Sequence, residues 1–127
     1  MIFVDSDIII DFLKGKSEAI KKLKDIDNIS TTEINIYEIY YGIYDKENVS
    51  QKEIEAADTF FQAINLTNPS FGKAAARIFT GLKKGGREIQ ESDCMIAAII
   101  LASGNNKIIT RNKNHFSRIQ EIEAIGY

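Results

Sequence analysis

Three carboxylates stand where an apolar sequence tolerates charge badly. Asp5 directly follows the apolar run Ile2-Phe3-Val4. Glu38 interrupts the apolar stretch Ile34–Tyr44, four residues after Ile34 and so on the same side of a helix. Asp93 heads the apolar stretch Cys94–Ala102. An unpaired buried carboxylate is costly, so each requires a compensating partner. The sequence offers few Lys or Arg neighbours at these points. A shared divalent cation satisfies all three at once, and hard oxygen ligands suit Mg²⁺ or Mn²⁺. Each acid also has a plainer reading. Asp5 or Asp7 could cap the helix that follows, Asp93 could answer a helix N-terminus with Ser92 as its cap, and Glu38 could pair with a Lys or face solvent. Set at the ends of elements across one sheet, the three together favour the shared ion.

The remaining candidates read more plainly. His115, the only histidine, falls in a polar, loop-like stretch and reads as a surface or boundary residue rather than a catalytic base. Cys94 lies in an apolar helix and reads as an inert small hydrophobe. The tyrosines between Tyr37 and Tyr44 read as core or interface rather than as platforms for base stacking. Lys14 and Lys16, Lys83, Lys84 and Arg87, and Arg111 and Lys113 read as solvated surface that could line an RNA path. With one cysteine and one histidine standing apart, a structural zinc site is excluded.

The elements that must position the acids follow from pattern. Residues 2–4 predict a buried strand, and Asp5-Ser6-Asp7 a helix start, with Ile8, Ile9, Phe12 and Leu13 at helical spacing and a stop near Gly15. A Lys-rich amphipathic helix over 17–25 turns Ile20 and Leu23 inward, and a short strand follows around 29–31. The stretch 33–44 predicts a helix apolar nearly all round, with Ile34, Tyr37, Tyr41 and Tyr44 marking one face; such a helix is buried or covered by a partner. A helix over 51–62 places Ile54, Ala57, Phe60 and Phe61 inward, and a strand over 63–67 comes next. Asn68-Pro69 offers a cap and a first-turn proline for a helix through 74–82, which Gly85-Gly86 would end. A helix over 94–102 closes at Gly104, a strand spans 107–110, and a weak last strand spans 122–125. Strands alternating with helices predict a parallel α/β sheet with helices on both faces. Ligands of such sheets bind outside the carboxyl ends of the strands, where Asp5 and Thr110 both fall.

At 127 residues, the chain suits a single domain, 1–127, with one sizeable core. Apolar residues at 44% and charged ones at 27% exclude a disordered chain. No apolar run approaches the ~20 residues of a membrane span. The start Met-Ile-Phe-Val-Asp lacks the basic region of a signal peptide, and a lone cysteine suits the reducing cytoplasm. A net charge of -2 differs from the basic balance of proteins that hold nucleic acid by phosphate neutralisation. Contact with nucleic acid here requires a local basic patch or metal ions between acid and phosphate.

Four stretches carry a resemblance. Val4-Asp5-Ser6-Asp7-Ile8-Ile9-Ile10-Asp11-Phe12-Leu13 resembles the opening of PIN-domain nucleases, particularly VapC-type toxins. Ile36-Tyr37-Glu38-Ile39-Tyr40-Tyr41-Gly42 resembles the second motif of that family. Asp93-Cys94-Met95-Ile96-Ala97-Ala98 resembles the third, and Thr110-Arg111-Asn112-Lys113-Asn114-His115-Phe116 the last. Any one is weak, but the ordered set is specific and spans nearly the whole chain. The resemblance implies a doubly wound, mostly parallel α/β PIN fold with helices on both faces. It further implies a Mg²⁺- or Mn²⁺-dependent ribonuclease, an RNA substrate, a VapB-like antitoxin partner and a homodimer. Asp5, Glu38 and Asp93 carry over as metal ligands and acidic centre. Ser6 and Thr110 would orient ligands or water, with Arg111 and Asn112 on the substrate side. Cleavage by attack of water in line would leave 5′-phosphate and 3′-hydroxyl ends. Two positions depart from the family pattern: Asn112 stands where many relatives have a fourth acid, which removes one charge, and Asn35 stands where relatives often have Thr or Ser.

Two other classes remain open on sequence. A PIN-like module that binds without cutting would share the fold, although the retained acids speak against it. An Asp-nucleophile phosphatase of the haloacid-dehalogenase type would match Asp5-Ser6-Asp7, yet the Arg-Asn-Lys after the strand 107–110 lacks the acidic pair that chemistry needs.

Overall fold

The computed structural model describes residues 1–127. In chain order the elements are β1 (Ile2–Val4), α1 (Ser6–Leu13), α2 (Ser17–Lys24), β2 (Ile29–Thr31), α3 (Glu33–Tyr44) and α4 (Gln51–Gln62). They continue with β3 (Asn65–Leu66), α5 (Gly72–Lys84), α6 (Glu91–Ala102), β4 (Lys107–Ile109), α7 (Lys113–Phe116) and β5 (Glu123–Ile125). The strands form one sheet in the order β3-β2-β1-β4-β5, and every pairing is parallel.

Strand periodicity explains the layering. Phe3 pairs in register with Ile108 and Val4 with Ile109, so successive residues face opposite sides of the sheet. Phe3 and Ile108 enter one core with Ile96, Ala97 and Ile100 of α6 and with Phe116 of α7. Val4 and Ile109 enter the other with Ile8 and Ile9 of α1, Leu23 of α2, Ile39 and Ile43 of α3, and Phe60 of α4. Helices thus cover both faces, as a buried parallel sheet requires. The order reverses at β1, whose neighbours are β2 on one side and β4 on the other. That reversal opens a crevice at the carboxyl ends of β1 and β4, the point at which such folds take ligands.

Several local expectations are corrected. The helix after Pro69 begins at Gly72 with Phe71 at its cap, so Asn68-Pro69 belongs to the connection and not to the first turn. Helix α6 begins at Glu91 after Gln90, which leaves Ser92 inside the helix rather than capping it. The face of α3 marked by Tyr37, Tyr41 and Tyr44 points outward, with these residues 66%, 56% and 56% exposed, while Asn35, Ile39 and Ile43 point in. The three tyrosines are therefore not core, which leaves the interface reading, and Asn35 occupies a core position for a reason given below. Ile20 is likewise exposed, and Ala19 takes its place beside Leu23 in the core. The short helix α7 had no apolar period long enough to predict it.

Candidate active site

Asp5 follows the last residue of β1 and caps α1, accepting the Ser6 backbone N–H on Oδ1 at 2.8 Å. Capping is therefore part of its role, but not all of it. Its Oδ2 accepts the Thr110 hydroxyl at 2.6 Å, which ties the end of β1 to the end of β4 across the crevice. Its Oδ1 also accepts Asn35 Nδ2 at 3.1 Å. Asn35 is itself fixed by the α3 cap: Thr32 donates its hydroxyl to Asn35 Oδ1 at 2.7 Å and accepts the Asn35 backbone N–H at 3.2 Å. An amide is the side chain that can accept from Thr32 while donating to a carboxylate. That double duty explains why a polar residue is buried on α3.

The network continues to the second acid. Asn35 Nδ2 lies 3.0 Å from Ser6 Oγ, and Ser6 donates its hydroxyl to Glu38 Oε1 at 2.9 Å. Glu38 sits one turn after Asn35 on α3 and is half-buried. Asp93, in the first turn of α6, is buried, and its Oδ2 lies 3.1 Å from His115 Nδ1 on α7. Asp7 completes the group. Its Oδ2 accepts the Arg111 backbone N–H at 2.8 Å and lies 3.3 Å from the Thr110 hydroxyl.

Electrostatics ties these acids together. Burial pushes the Asp5 carboxyl up to about 7, and the Asp7 and Asp93 charges add to the rise against the Thr110 and Ser6 hydrogen bonds. Burial also raises Glu38, opposed by the Ser6 bond and reinforced by the Asp93 and Asp7 charges. Asp93 is raised by burial first, with His115 working against it and the Asp7 charge adding. Every group that steadies Asp5 and Glu38 is a neutral donor: a hydroxyl, an amide or a backbone N–H. No Lys or Arg side chain forms an ion pair with any of the four acids.

No group of three Asp, Glu, His or Cys side chains is already closed around one point as a metal cage. The donor chemistry nevertheless fits a hard cation. Glu38 Oε2 and Asp93 Oδ1 accept no hydrogen bond, and no buried side-chain polar atom lacks a partner, so both oxygens reach solvent. Asp5 Oδ2 accepts a single donor and retains a lone pair. Three carboxylates of one crevice thus each offer an uncommitted oxygen site.

Of the residues read from sequence, Asp5, Ser6 and Glu38 share one hydrogen-bond network, which Thr110 joins through Asp5. Asp93 faces them by charge rather than by a bond. Asn112 is exposed; its backbone N–H bonds Thr110 Oγ1 at 2.9 Å while its side chain bonds nothing. Arg111 lies beside them with its side chain turned to Asp11 and Tyr127. His115, read as a surface or boundary residue, is half-exposed and bonds Asp93, a contact the sequence did not suggest, and the sequence alone assigns Asn35 no role. The signal for Asn35 was its position three residues before Glu38, on the same face of α3. Cys94 is buried with its thiol pushed up to about 11, which fits an inert packing residue.

The comparisons with known proteins agree with this geometry. No curated protein matches the sequence. Among solved structures, a chain of VapBC-1 from nontypeable Haemophilus influenzae superposes with a TM-score of 0.83 at 25% identity, over 99% of this chain and 98% of that one. A chain of VapBC2 from Rickettsia felis, solved with a DNA fragment from its promoter, gives 0.85 at 19% identity, over 100% and 99%. A chain of DNA-bound VapBC from Salmonella typhimurium gives 0.82 at 20% identity, over 99% and 98%. At this identity the last two speak for the fold. The family model for the PIN domain matches residues 2–122, from β1 through the connection to β5, and on that match the chain belongs to the PIN domain family.

Proposed function

We propose that the chain is a metal-dependent ribonuclease, the toxin of a VapBC-type toxin–antitoxin pair, hydrolysing RNA phosphodiester bonds. The observation that carries this reading is the set of buried and half-buried acids at the β1/β4 crevice, raised by burial and mutual repulsion, with Asp5 and Glu38 held by neutral donors, Asp93 by His115 and none by Lys or Arg. Such a set is stable in its ionised form when a cation joins it. Asp5, Glu38 and Asp93 would hold Mg²⁺ or Mn²⁺, which supplies neutralisation of phosphate charge and a more acidic water. Ser6, Asn35 and Thr110 hold Asp5 and Glu38 in place, and His115 orients Asp93. Exposed Asn112 and Arg111 lie on the side from which a strand would approach. A bound cation also reconciles an acidic crevice with a polyanionic substrate. The VapBC likeness supports a VapB-like antitoxin as partner.

The test is cleavage of single-stranded RNA by the purified chain in Mn²⁺ or Mg²⁺, compared with chelator, for wild type and Asp93→Asn. Cleavage in metal alone, abolished in a variant that keeps its circular dichroism, is the expected result. Cleavage that survives both chelator and the substitution rejects the reading. RNA bound but never cut, with any divalent metal, favours the module that binds without cutting.

A further inference from the structure

Outside the acidic centre, Asp11 gathers Arg111, Tyr127 and Lys16, and the function just proposed gives no role to Asp11, Tyr127 or Lys16. Asp11 is buried, yet Arg111 Nη2 and the Tyr127 hydroxyl both donate to its Oδ2, the latter at 2.6 Å, and Lys16 Nζ lies 3.4 Å from Oδ1. Tyr127 also receives Arg111 Nε at 3.2 Å, so two groups grip the guanidinium along its Nε/Nη2 edge. Asp11 follows Asp7 by one turn of α1, which sets the two carboxylates on one face about 5–6 Å apart at their Cβ atoms. The backbone N–H of Arg111 bonds Asp7, and its neighbour Thr110 bonds Asp5. The guanidinium is thus held one helical turn from the acidic centre, at the mouth of the crevice.

Three features give this arrangement a use beyond holding the chain together. Nη1 of Arg111 makes no hydrogen bond, and the side chain is 55% exposed despite the grip. The cluster of Arg111, Lys16 and Asp11 carries two positive charges and one negative, so it keeps a net positive charge beside a negative crevice. A planar guanidinium fixed along its Nε/Nη2 edge presents Nη1 and the second Nη2 hydrogen as a fork, the geometry suited to a phosphodiester.

We propose that Asp11 and Tyr127 are positioning residues that hold Arg111 to bind a backbone phosphate of single-stranded RNA next to the one at the acidic centre. This rests on the ribonuclease reading for the identity of the strand. Arg111 is the contact; Asp11 and Tyr127 act through it. Tyr127 can then be removed without touching RNA, and its effect exists only while Arg111 is present.

The experiment measures the Kd of a labelled single-stranded RNA oligonucleotide in Ca²⁺ for wild type, Tyr127→Phe, Arg111→Ala and the double variant, with Tm recorded for each. Cleavage of the same oligonucleotide in Mn²⁺ is measured separately. Arg111→Ala weakens binding about tenfold, the effect of one charged hydrogen-bonded contact, and lowers the slope of log Kd against log salt by about 0.7. Tyr127→Phe weakens binding about threefold. The double variant binds like Arg111→Ala, and Arg111→Lys keeps the salt slope but not the full affinity. A purely structural Tyr127 would cost the same factor in both backgrounds, and that additivity overturns the proposal. So does an unchanged Kd in folded Tyr127→Phe. Wild type that binds RNA as described but never cleaves it rejects the ribonuclease and leaves the Arg111 site standing; wild type that binds no RNA overturns both.

Discussion

Replacing Asp5 with Asn removes one negative charge from the acidic centre while keeping its shape, and the effect on stability depends on pH and on the cation. Asp5 titrates at about 7 in the folded chain against an ordinary value of 3.8. The folded state holds the proton more tightly, so ionising this group opposes folding. Below pH 3.8 both states are protonated and the effect vanishes; between 3.8 and 7 stability falls as pH rises; above 7 the full cost is present. A difference of about three units corresponds to a ceiling of about 4 kcal/mol, which falls below about 2 kcal/mol at pH 5. The new amide finds partners: the Thr110 hydroxyl, freed from Asp5, can turn its proton to Asp7 Oδ2, 3.3 Å away, and accept in return. In chelator at pH 8 the variant should therefore melt above wild type. Half the ceiling corresponds to about 8 °C for a chain of this size. Wild type in chelator should also lose Tm from pH 5 to pH 8. Millimolar Mn²⁺ should restore wild type at pH 8 and leave the variant unmoved. A wild-type Tm that stays level across that range in chelator, or equal stabilisation of both proteins by Mn²⁺, would refute the reasoning.

Asn35→Ala strips a donor from Asp5 and an acceptor from Thr32 at a site 1% exposed, and should cost about 1–3 kcal/mol in urea unfolding; a change under about 0.5 kcal/mol would show the network to be idle. His115→Ala should weaken Mn²⁺ binding by about tenfold in calorimetry with little change in metal-free Tm, because the imidazole orients Asp93 while half-exposed itself; an unaltered affinity rejects that role. Ile100→Ala, fully buried between α6 and the sheet, should lower unfolding free energy by about 2–5 kcal/mol without changing metal affinity at saturating folding conditions.

Elements with a clear period were legible in the sequence, and so was the strand that carries the first acid. The apolar runs at Ile2–Val4 and Cys94–Ala102 led directly to β1 and α6, because most of their residues are buried and they contain little else. Asp5 and Asp93 then stood out as charges at the ends of such runs. The errors arose where tertiary contact outranks local pattern. Helix α3 is apolar nearly all round, so period alone could not choose its inner face. The choice fell to Asn35, whose bonds to Thr32 and Asp5 join a residue three positions back to another thirty positions back. The contacts of His115 and Tyr127 were illegible for the same reason: their partners, Asp93 and Asp11, lie 22 and 116 residues away.

The choice of neutral donors has a consequence for how the centre can work. A Lys or Arg beside Asp5 would have offset its charge, and would have occupied the place of the divalent ion proposed above. Serine, asparagine and threonine instead fix the carboxylates in position while leaving their charge uncompensated. The one cation whose backbone enters the group, Arg111, sends its guanidinium away to Asp11 and Tyr127. Lys and Arg charge is thereby kept off the four acids, and that of Arg111 is held one helical turn away beside Asp11. The division fits the proposed function, whose two tasks compete for the same electrostatics: holding a small, hard cation among acids, and drawing in a polyanion that the same acids repel. On that reading, exchanging the two kinds of residue, with a cation inside and an amide at the mouth, would defeat both tasks.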